Sequence, residues 1–313
     1  MDNSTSIGVL VLAYGGPNSL DEIEPYLLDV RGGRPTSPEL VEEIREHYRL
    51  IGGRSPILEL TQAQASALEA ALNSSSDGVV YKTYIGMRHW HPYIKQAVEQ
   101  MAADGLTRVI AIVLAPHYSR MSIGAYVKKV EEALAEVGGR LDVTYIESYH
   151  LHPLYLQALA ERVQEARQRF PEEVGASVPV IFTAHSLPER ILQWQDPYPT
   201  QLMETAQAVA ALVSPVDWRF AYQSAGRSPE PWLGPDAGEV IQELADSGEK
   251  NVLIAPVGFV SDHVEILYDI DIEFRQQADE LGMYLERTTS LNDSPLFIAA
   301  LADVVRSHLV PVE

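Results

Sequence analysis

Two stretches of the chain carry residues that could do acid–base or metal chemistry. His185 follows the apolar run Val178-Pro-Val-Ile-Phe-Thr-Ala and precedes Ser-Leu-Pro188. The β-branched and aromatic residues predict a buried strand, so the imidazole lies at a carboxyl end, where open α/β sheets bind ligands. Because an unperturbed imidazole titrates at about 6.5, it can bind a metal ion or move a proton at neutral pH. The alternative is a hydrogen-bonded histidine with a structural role.

The second stretch is an acidic segment further along the chain. A helix is predicted to begin near Ser261 or Asp262, both good N-caps. Four acids follow at spacings of three, four and four residues and would share one face: Asp262, Glu265, Asp269 and Glu273. Like charges on one face repel, and a hard divalent cation or iron would relieve that repulsion. A solvated acidic face is the alternative, but the apolar neighbours of Glu265 predict partial burial.

Weaker candidates lie in the first third of the sequence. Tyr14 ends the first apolar run, before Gly15-Gly-Pro17, and no G-x-G-x-x-G dinucleotide fingerprint is present there. This tyrosine either faces a functional cleft or packs in the core. His89 and His91 could share a metal ion, although Pro92 predicts a loop. No G-x-S-x-G hydrolase motif occurs.

Short apolar strands alternate with longer amphipathic helices along the whole chain. Strands are predicted at 7–14, 80–86, 108–115, 142–147, 178–184, 218–223, 251–256 and 283–287. Helices are predicted at 19–30, 38–50, 60–74, 91–104, 122–137, 153–170, 200–213, 235–247, 262–280 and 294–308. This alternation indicates an α/β fold of parallel strands buried on both faces.

The two halves of the chain resemble each other in their pattern of strands and loops. We expect two domains, 1–150 and 151–313, each a four-stranded parallel sheet flanked by helices. The last helix, about 294–308, would pack back on the first domain. Duplication of one half is one explanation, and the general self-similarity of α/β folds is the other.

Composition excludes several classes of protein. The 313 residues carry a net charge of −21, which argues against nucleic-acid binding. The absence of cysteine excludes disulfides and cysteine-ligated iron–sulfur clusters. No apolar run approaches the ~20 residues of a membrane span, and the N-terminus lacks the pattern of a signal peptide. We expect a soluble cytoplasmic protein.

Several motifs, in order along nearly the whole chain, resemble the ferrochelatase family. They are Leu12-Ala-Tyr-Gly-Gly-Pro17, Ile51-Gly-Gly-Arg-Ser-Pro56, Tyr84-Ile-Gly-Met-Arg-His89, Leu114-Ala-Pro-His-Tyr-Ser119, Thr183-Ala-His-Ser-Leu-Pro188, Asp196-Pro-Tyr-Pro199, Gln223-Ser224, Pro231-Trp-Leu-Gly-Pro235 and Pro256-Val-Gly-Phe-Val-Ser-Asp-His-Val-Glu-Ile-Leu-Tyr-Asp269. The chain is most similar to the cysteine-free, monomeric bacterial type that inserts iron into coproporphyrin III. The resemblance implies two Rossmann-like, chelatase-type domains with a porphyrin cleft between them.

The same resemblance implies roles for individual residues. His185 and Glu265 would be the catalytic residues, facing each other and either holding Fe²⁺, the metal substrate, or taking the pyrrole protons. Tyr14 would approach the iron from the opposite porphyrin face, and a tyrosine there favours coproporphyrin. The other implied porphyrin-binding residues are Arg31, Ser55, Tyr126 and Trp232. Asp269 and Glu273 would form a path for cations or protons.

Burial of Glu265 is expected to raise its pKa and make it a workable base. The alternative functions are iron insertion into protoporphyrin IX, a chelatase acting on sirohydrochlorin, and a non-catalytic haem or metal carrier.

Overall fold

The computed structural model describes residues 5–74, 78–138 and 141–309. Their chain forms two compact units. The first contains the described residues of Met1–Pro116, Arg120–Tyr149 and Asn292–Glu313, and the second contains His117–Ser119 and His150–Leu291. Each unit has one four-stranded parallel sheet flanked by helices, as predicted.

The sheet of the first unit has the strand order β2-β1-β3-β4. Its strands are β1 (Thr5–Ala13), β2 (Val79–Met87), β3 (Arg108–Val113) and β4 (Asp142–Ile146). Its helices include α1 (Ile23–Val30), α2 (Pro38–Leu50), α3 (Ile57–Asn73), α4 (Ile94–Ala103) and α5 (Ile123–Val137), with a 3-10 turn at Leu20–Glu22. Residues 9–11 of β1 are wholly inaccessible, because helices cover both faces of the sheet.

The sheet of the second unit has the equivalent order β6-β5-β7-β8. Its strands are β5 (Val180–His185), β6 (Trp218–Gln223), β7 (Asn251–Ala255) and β8 (Tyr284–Arg287). Its helices are α6 (Pro153–Arg167), α7 (Glu172–Gly175), α8 (Tyr198–Leu212), α9 (Ala237–Asp246), α10 (Val264–Leu267) and α11 (Arg275–Glu280), with a 3-10 segment at Glu189–Trp194 and a π-helical segment at Asp269–Phe274.

The last helix, α12 (Pro295–Ser307), belongs to the first unit and packs on α3. The Arg306 guanidinium donates to the carbonyls of Ala71 and Leu72 at the end of α3, at 2.8 and 3.2 Å. No helix of the described residues is long and apolar enough to cross a membrane.

All eight predicted strands are confirmed, whereas the predicted single helix over 262–280 is wrong. Asp262 precedes the helix, His263 is the N-cap of the four-residue α10, and a π-helical segment follows before α11. The Tyr268 carbonyl accepts from the N–H groups of both Ile272 and Glu273, at 3.1 and 3.0 Å. The wider turn changes which side chains share a face with Glu265.

The strand order creates one topological switch point in each sheet. In the second sheet the chain leaves β5 towards β6 on one side and later returns to β7 on the other. In the first sheet, β1 lies in the same way between β2 and β3. The carboxyl ends of such central strand pairs leave a crevice where ligands bind. His185 ends β5 and Tyr14 follows β1, so both occupy such positions.

Candidate active site

His185 is fixed by its backbone and by one ring nitrogen. Its carbonyl accepts a hydrogen bond from the Tyr198 hydroxyl at 2.9 Å. Its Nδ1 hydrogen bonds with the carbonyl of Ser186, so Nδ1 carries the proton and Nε2 faces away. Nε2 lies 3.5 Å from Oε1 of Glu265, with about a third of each side chain exposed (32% and 30%). The predicted pair is therefore in direct contact.

Glu265 is placed by the loop that leaves β7. In that loop, the Gly258 N–H donates to the Thr183 carbonyl at 3.1 Å. A Cβ at Gly258 would lie only 2.4 Å from the Cβ of Ala184, so only glycine lets the loop approach β5 this closely. The approach brings the start of α10 next to His185.

Sequence analysis missed His263 as a member of this site. Its Nε2 lies 3.4 Å from Oε2 of Glu265, and its Nδ1 lies 3.0 Å from the Ser261 carbonyl. Both oxygens of the Glu265 carboxylate thus face an imidazole. The signal was present in the sequence, since His263 stands two residues before Glu265.

The expectation that Glu265 has a raised pKa is wrong. Burial favours the neutral acid, but the neighbouring His185 and His263 imidazoles outweigh it and hold the pKa well below its usual range. For His185, burial opposes the charge, yet the Glu265 carboxylate raises the pKa from 6.5 to about 9. At neutral pH, His185 and Glu265 therefore form an imidazolium–carboxylate pair.

Of the four acids predicted to share a face, Asp269 interacts with both Glu265 and Glu273. Burial raises the pKa of Asp269 to about 7, the Glu265 charge adds to that effect, and a hydrogen bond from the Ser224 hydroxyl opposes it. Glu273 is exposed, and its charge also raises the pKa of Asp269.

Asp262, the fourth of the predicted acids, contacts Ser290 and Arg287. Its Oδ1 accepts a 2.7 Å hydrogen bond from the Ser290 hydroxyl and lies 3.4 Å from Nη1 of Arg287. Arg287 also makes a two-bond ion pair with Asp271, at 2.8 Å for each bond. One guanidinium therefore holds the chain before α10 and the π-helical segment after it.

The predicted porphyrin-binding residues of the first unit lie around the loop after β1. The side chain of Tyr14 is 39% exposed and its ring centroid lies 4.7 Å from that of His89. Ser55 is buried against this loop, where a Cβ at Gly16 would lie 2.6 Å from its Oγ. Arg31, the C-cap of α1, is exposed.

Tyr126 of α5 is buried, and the Arg88 guanidinium links it to Tyr14. The guanidinium carbon lies 5.5 Å from the Tyr126 ring centroid and 5.9 Å from that of Tyr14. Burial raises the pKa of the Tyr126 phenol well above its usual range. Sequence analysis did not assign Arg88 to a site.

Trp232 belongs to the second unit, beside the chain that leaves His185. Its backbone bridges to Pro188, and its indole N–H donates to the Ser228 hydroxyl at 3.1 Å. The Leu233 N–H donates to the Leu187 carbonyl at 2.9 Å. Trp232 thus lies next to the His185 segment.

His89 and His91 point to different partners. Nδ1 of His89 lies 2.8 Å from the Asp29 carboxylate, whereas Nδ1 of His91 lies 3.3 Å from the Gln96 amide. Burial lowers the pKa of His89 to about 4 although Asp29 opposes this, so the ring is neutral at pH 7. Among the residues with described positions, no three histidine or acidic side chains are arranged to hold a metal ion.

Comparisons with known proteins give matches over nearly the whole chain. The family model for ferrochelatase matches residues 6–309. The chain is 51% identical over 314 residues to a ferrochelatase of Deinococcus radiodurans, covering 100% of this chain and 99% of the relative. It is 43% identical over 305 residues to a coproporphyrin III ferrochelatase of Geobacillus thermodenitrificans, covering 97% and 96%.

A solved structure shows the same fold. The sirohydrochlorin chelatase SirB from Bacillus subtilis subspecies spizizenii, in complex with cobalt, matches with a TM-score of 0.56. The match covers 97% of this chain and 95% of that one at 14% identity, so it supports the two-domain chelatase fold alone.

Proposed function

The chain belongs to the ferrochelatase family, and we propose that it inserts Fe²⁺ into coproporphyrin III. The observation that carries this proposal is the 3.5 Å contact between Nε2 of His185, at the carboxyl end of β5, and Oε1 of Glu265, in α10. Metal insertion replaces two pyrrole N–H protons with the metal. A site for this reaction needs a metal ligand and a proton acceptor side by side, and this pair supplies both.

The protonation state of the pair sets the order of events. At neutral pH Glu265 is ionised and His185 is charged, because each stabilises the charge of the other. The ionised carboxylate of Glu265 can meet a cation at once, whereas Nε2 of His185 must first lose its proton. An arriving cation favours that loss, because it replaces the imidazolium as the partner of the carboxylate.

Asp269 is suited to carry protons away from the pair. Burial and the Glu265 charge raise its pKa to about 7, so it exchanges protons with water readily at neutral pH. The exposed Glu273 interacts with it on the solvent side. We therefore assign Asp269 and Glu273 to proton release.

Coproporphyrin III is the preferred porphyrin in this proposal, and Tyr14 supports it. A partly exposed phenol at the end of β1 could ligate iron through its oxygen. The exposed cation of Arg31 and the hydroxyl groups of Ser55 and Tyr126 are of the types that bind propionates. Coproporphyrin III has four propionates and protoporphyrin IX has two. Relatives described as coproporphyrin III ferrochelatases are 41–43% identical to the chain.

The test is anaerobic iron insertion with coproporphyrin III and protoporphyrin IX side by side, followed by the loss of free-porphyrin fluorescence. We expect a clearly higher kcat/KM for coproporphyrin III, and a clear preference for protoporphyrin IX would refute that choice. A His185→Ala variant should bind porphyrin but insert no iron. If wild-type protein binds haem tightly and inserts no iron into either porphyrin, it is a carrier instead.

A further inference from the structure

Gln223 links the two residues of the proposed active site. It ends β6, where it is the strand partner of His185, and its side chain is completely buried. Its Nε2 donates to the backbone carbonyl of Glu265 at 2.8 Å. Its own backbone carbonyl accepts from the Ser186 N–H at 2.8 Å. One residue thus contacts the chain beside His185 and the chain at Glu265.

The amide is held in one orientation by a second buried polar group. The hydroxyl of Thr183, also fully buried, donates to Oε1 of Gln223 at 2.7 Å. This bond occupies the carbonyl side of the amide and directs the NH₂ group towards Glu265. A satisfied polar pair can often be replaced by apolar side chains of the same shape at little cost in stability. Packing alone therefore gives no reason for a Gln–Thr pair here.

The segment that carries Glu265 needs an external support. α10 has only four residues, and its N-cap His263 makes no side-chain capping bond. So short a helix is not stable by itself. Ser224, with a φ of 58°, turns the chain in the left-handed region directly after Gln223, and its hydroxyl donates to the Asp269 carboxylate. Two consecutive residues therefore hold Glu265 and Asp269.

We infer that Gln223 is a positioning residue: the hydrogen bond from its side-chain amide to the Glu265 backbone carbonyl sets the distance between the Glu265 carboxylate and His185. The inference rests on the proposed function of that pair. Positioning differs from a general stabilising role because the hydrogen bond from the Gln223 side chain holds only Glu265, one member of the His185–Glu265 pair. A substitution leaves the Gln223 backbone, and hence the support of the His185 segment, unchanged.

Three variants separate positioning from stability. Gln223→Met removes both hydrogen bonds of the side-chain amide but nearly keeps the side-chain volume. Gln223→Glu keeps the acceptor for Thr183, and only its protonated form can donate to the Glu265 carbonyl. Thr183→Val is the matched control, because it removes the buried hydrogen bond from Thr183 to Gln223 and leaves the hydrogen bond from Gln223 to the Glu265 carbonyl.

The readouts are kcat and KM for iron insertion, the Kd for porphyrin from fluorescence quenching, and Tm. For Gln223→Met we expect kcat to fall by about 100-fold, the cost of a misplacement of about 1 Å, with porphyrin Kd unchanged. Thr183→Val should lose less than about tenfold in kcat. The activity of Gln223→Glu relative to wild type should recover as the pH falls from about 8 to about 6, because complete burial raises the pKa of the introduced carboxyl and favours its protonated form.

A folded Gln223→Met variant with wild-type kcat would overturn the inference, as would equal losses of kcat in Gln223→Met and Thr183→Val. Failure of the wild-type protein to insert iron would instead refute the proposed function. Crystal structures of the wild-type protein and of Gln223→Met test the positioning separately. We expect the Glu265 carboxylate to move away from His185 in the variant, and an unchanged distance would overturn the inference.

Discussion

Replacing Glu265 with glutamine should convert His185 from a charged to a neutral side chain at pH 7. In the wild-type protein the Glu265 carboxylate raises the pKa of His185 from 6.5 to about 9 against the effect of burial. At pH 7 about 99% of the His185 rings are then protonated. In Glu265→Gln the burial remains and the adjacent charge is gone. We therefore expect a pKa below 6.5, with less than about a quarter of the rings protonated at pH 7.

The separation of the two side chains accounts for the size of this effect. Two unit charges 3.5 Å apart interact by about 332/(20 × 3.5), or about 4.7 kcal/mol, at an effective dielectric constant of about 20. That value suits a pair whose side chains are about a third exposed. It corresponds to about 3.5 on the pKa scale. Burial offsets part of this gain, which is consistent with a net increase from 6.5 to about 9.

The assay is a pH titration of histidine side-chain resonances by NMR, with His185→Asn to assign the signal. Glu273→Gln is the matched control, because it removes a carboxylate from the same segment at an exposed position. We expect this control to leave the pKa of His185 nearly unchanged. A wild-type His185 that titrates below pH 7, or a Glu265→Gln variant with the same pKa as wild type, would refute the reasoning.

Three further substitutions test the surroundings of the site. Gly258→Ala places a methyl group about where Ala184 leaves only 2.4 Å, and it should cost about 1–3 kcal/mol in the free energy of unfolding measured with urea. Arg287→Met breaks the ion pair with Asp271 and should cost about 3 kcal/mol in the same assay, at the lower end for buried pairs because Asp271 is partly exposed. Asp269→Asn should remove the limb of the kcat/KM–pH profile in which wild-type activity falls as the pH drops below about 7, because Asp269 of the substrate-free protein is then protonated; an unchanged profile would exclude Asp269 from proton release.

The strands could be predicted from the sequence because of how they are buried. Both sheets are parallel and covered on both faces, so β5 and β7 read as unbroken apolar runs between polar loops. Parallel strands also place their carboxyl ends at one edge of the sheet. That rule is enough to bring His185 and the loop after β7 to the same place.

The π-helical segment could not be predicted in the same way. The acids from Asp262 to Glu273 fit one helix face, and neither proline nor glycine interrupts them. The interruption depends on partners distant in sequence, because Arg287 binds both Asp262 and Asp271. A local pattern contains no information on such an ion pair. The local pattern therefore predicted helical structure correctly, but it predicted one continuous helix where the chain forms three helical segments.

The protonation states of the site also depend on contacts that the sequence does not show. Burial alone predicts a raised pKa for Glu265, and burial does act in that direction. The direction reverses because two imidazoles lie within 3.5 Å of the carboxylate. One of them, His263, stands beside Glu265 in the sequence but contacts it only because α10 begins between the two.

The effect of Glu265 on the pKa of Asp269 gives the proposed proton release a direction. The Glu265 charge is one cause of the raised pKa of Asp269. In the proposed function, a cation that neutralises that charge would lower the pKa of Asp269, and its proton would leave towards the exposed Glu273. Asp269 is then ionised and ready to accept the next proton. Under this proposal, substrate binding at Glu265 prepares Asp269, the proton acceptor four residues further along the chain.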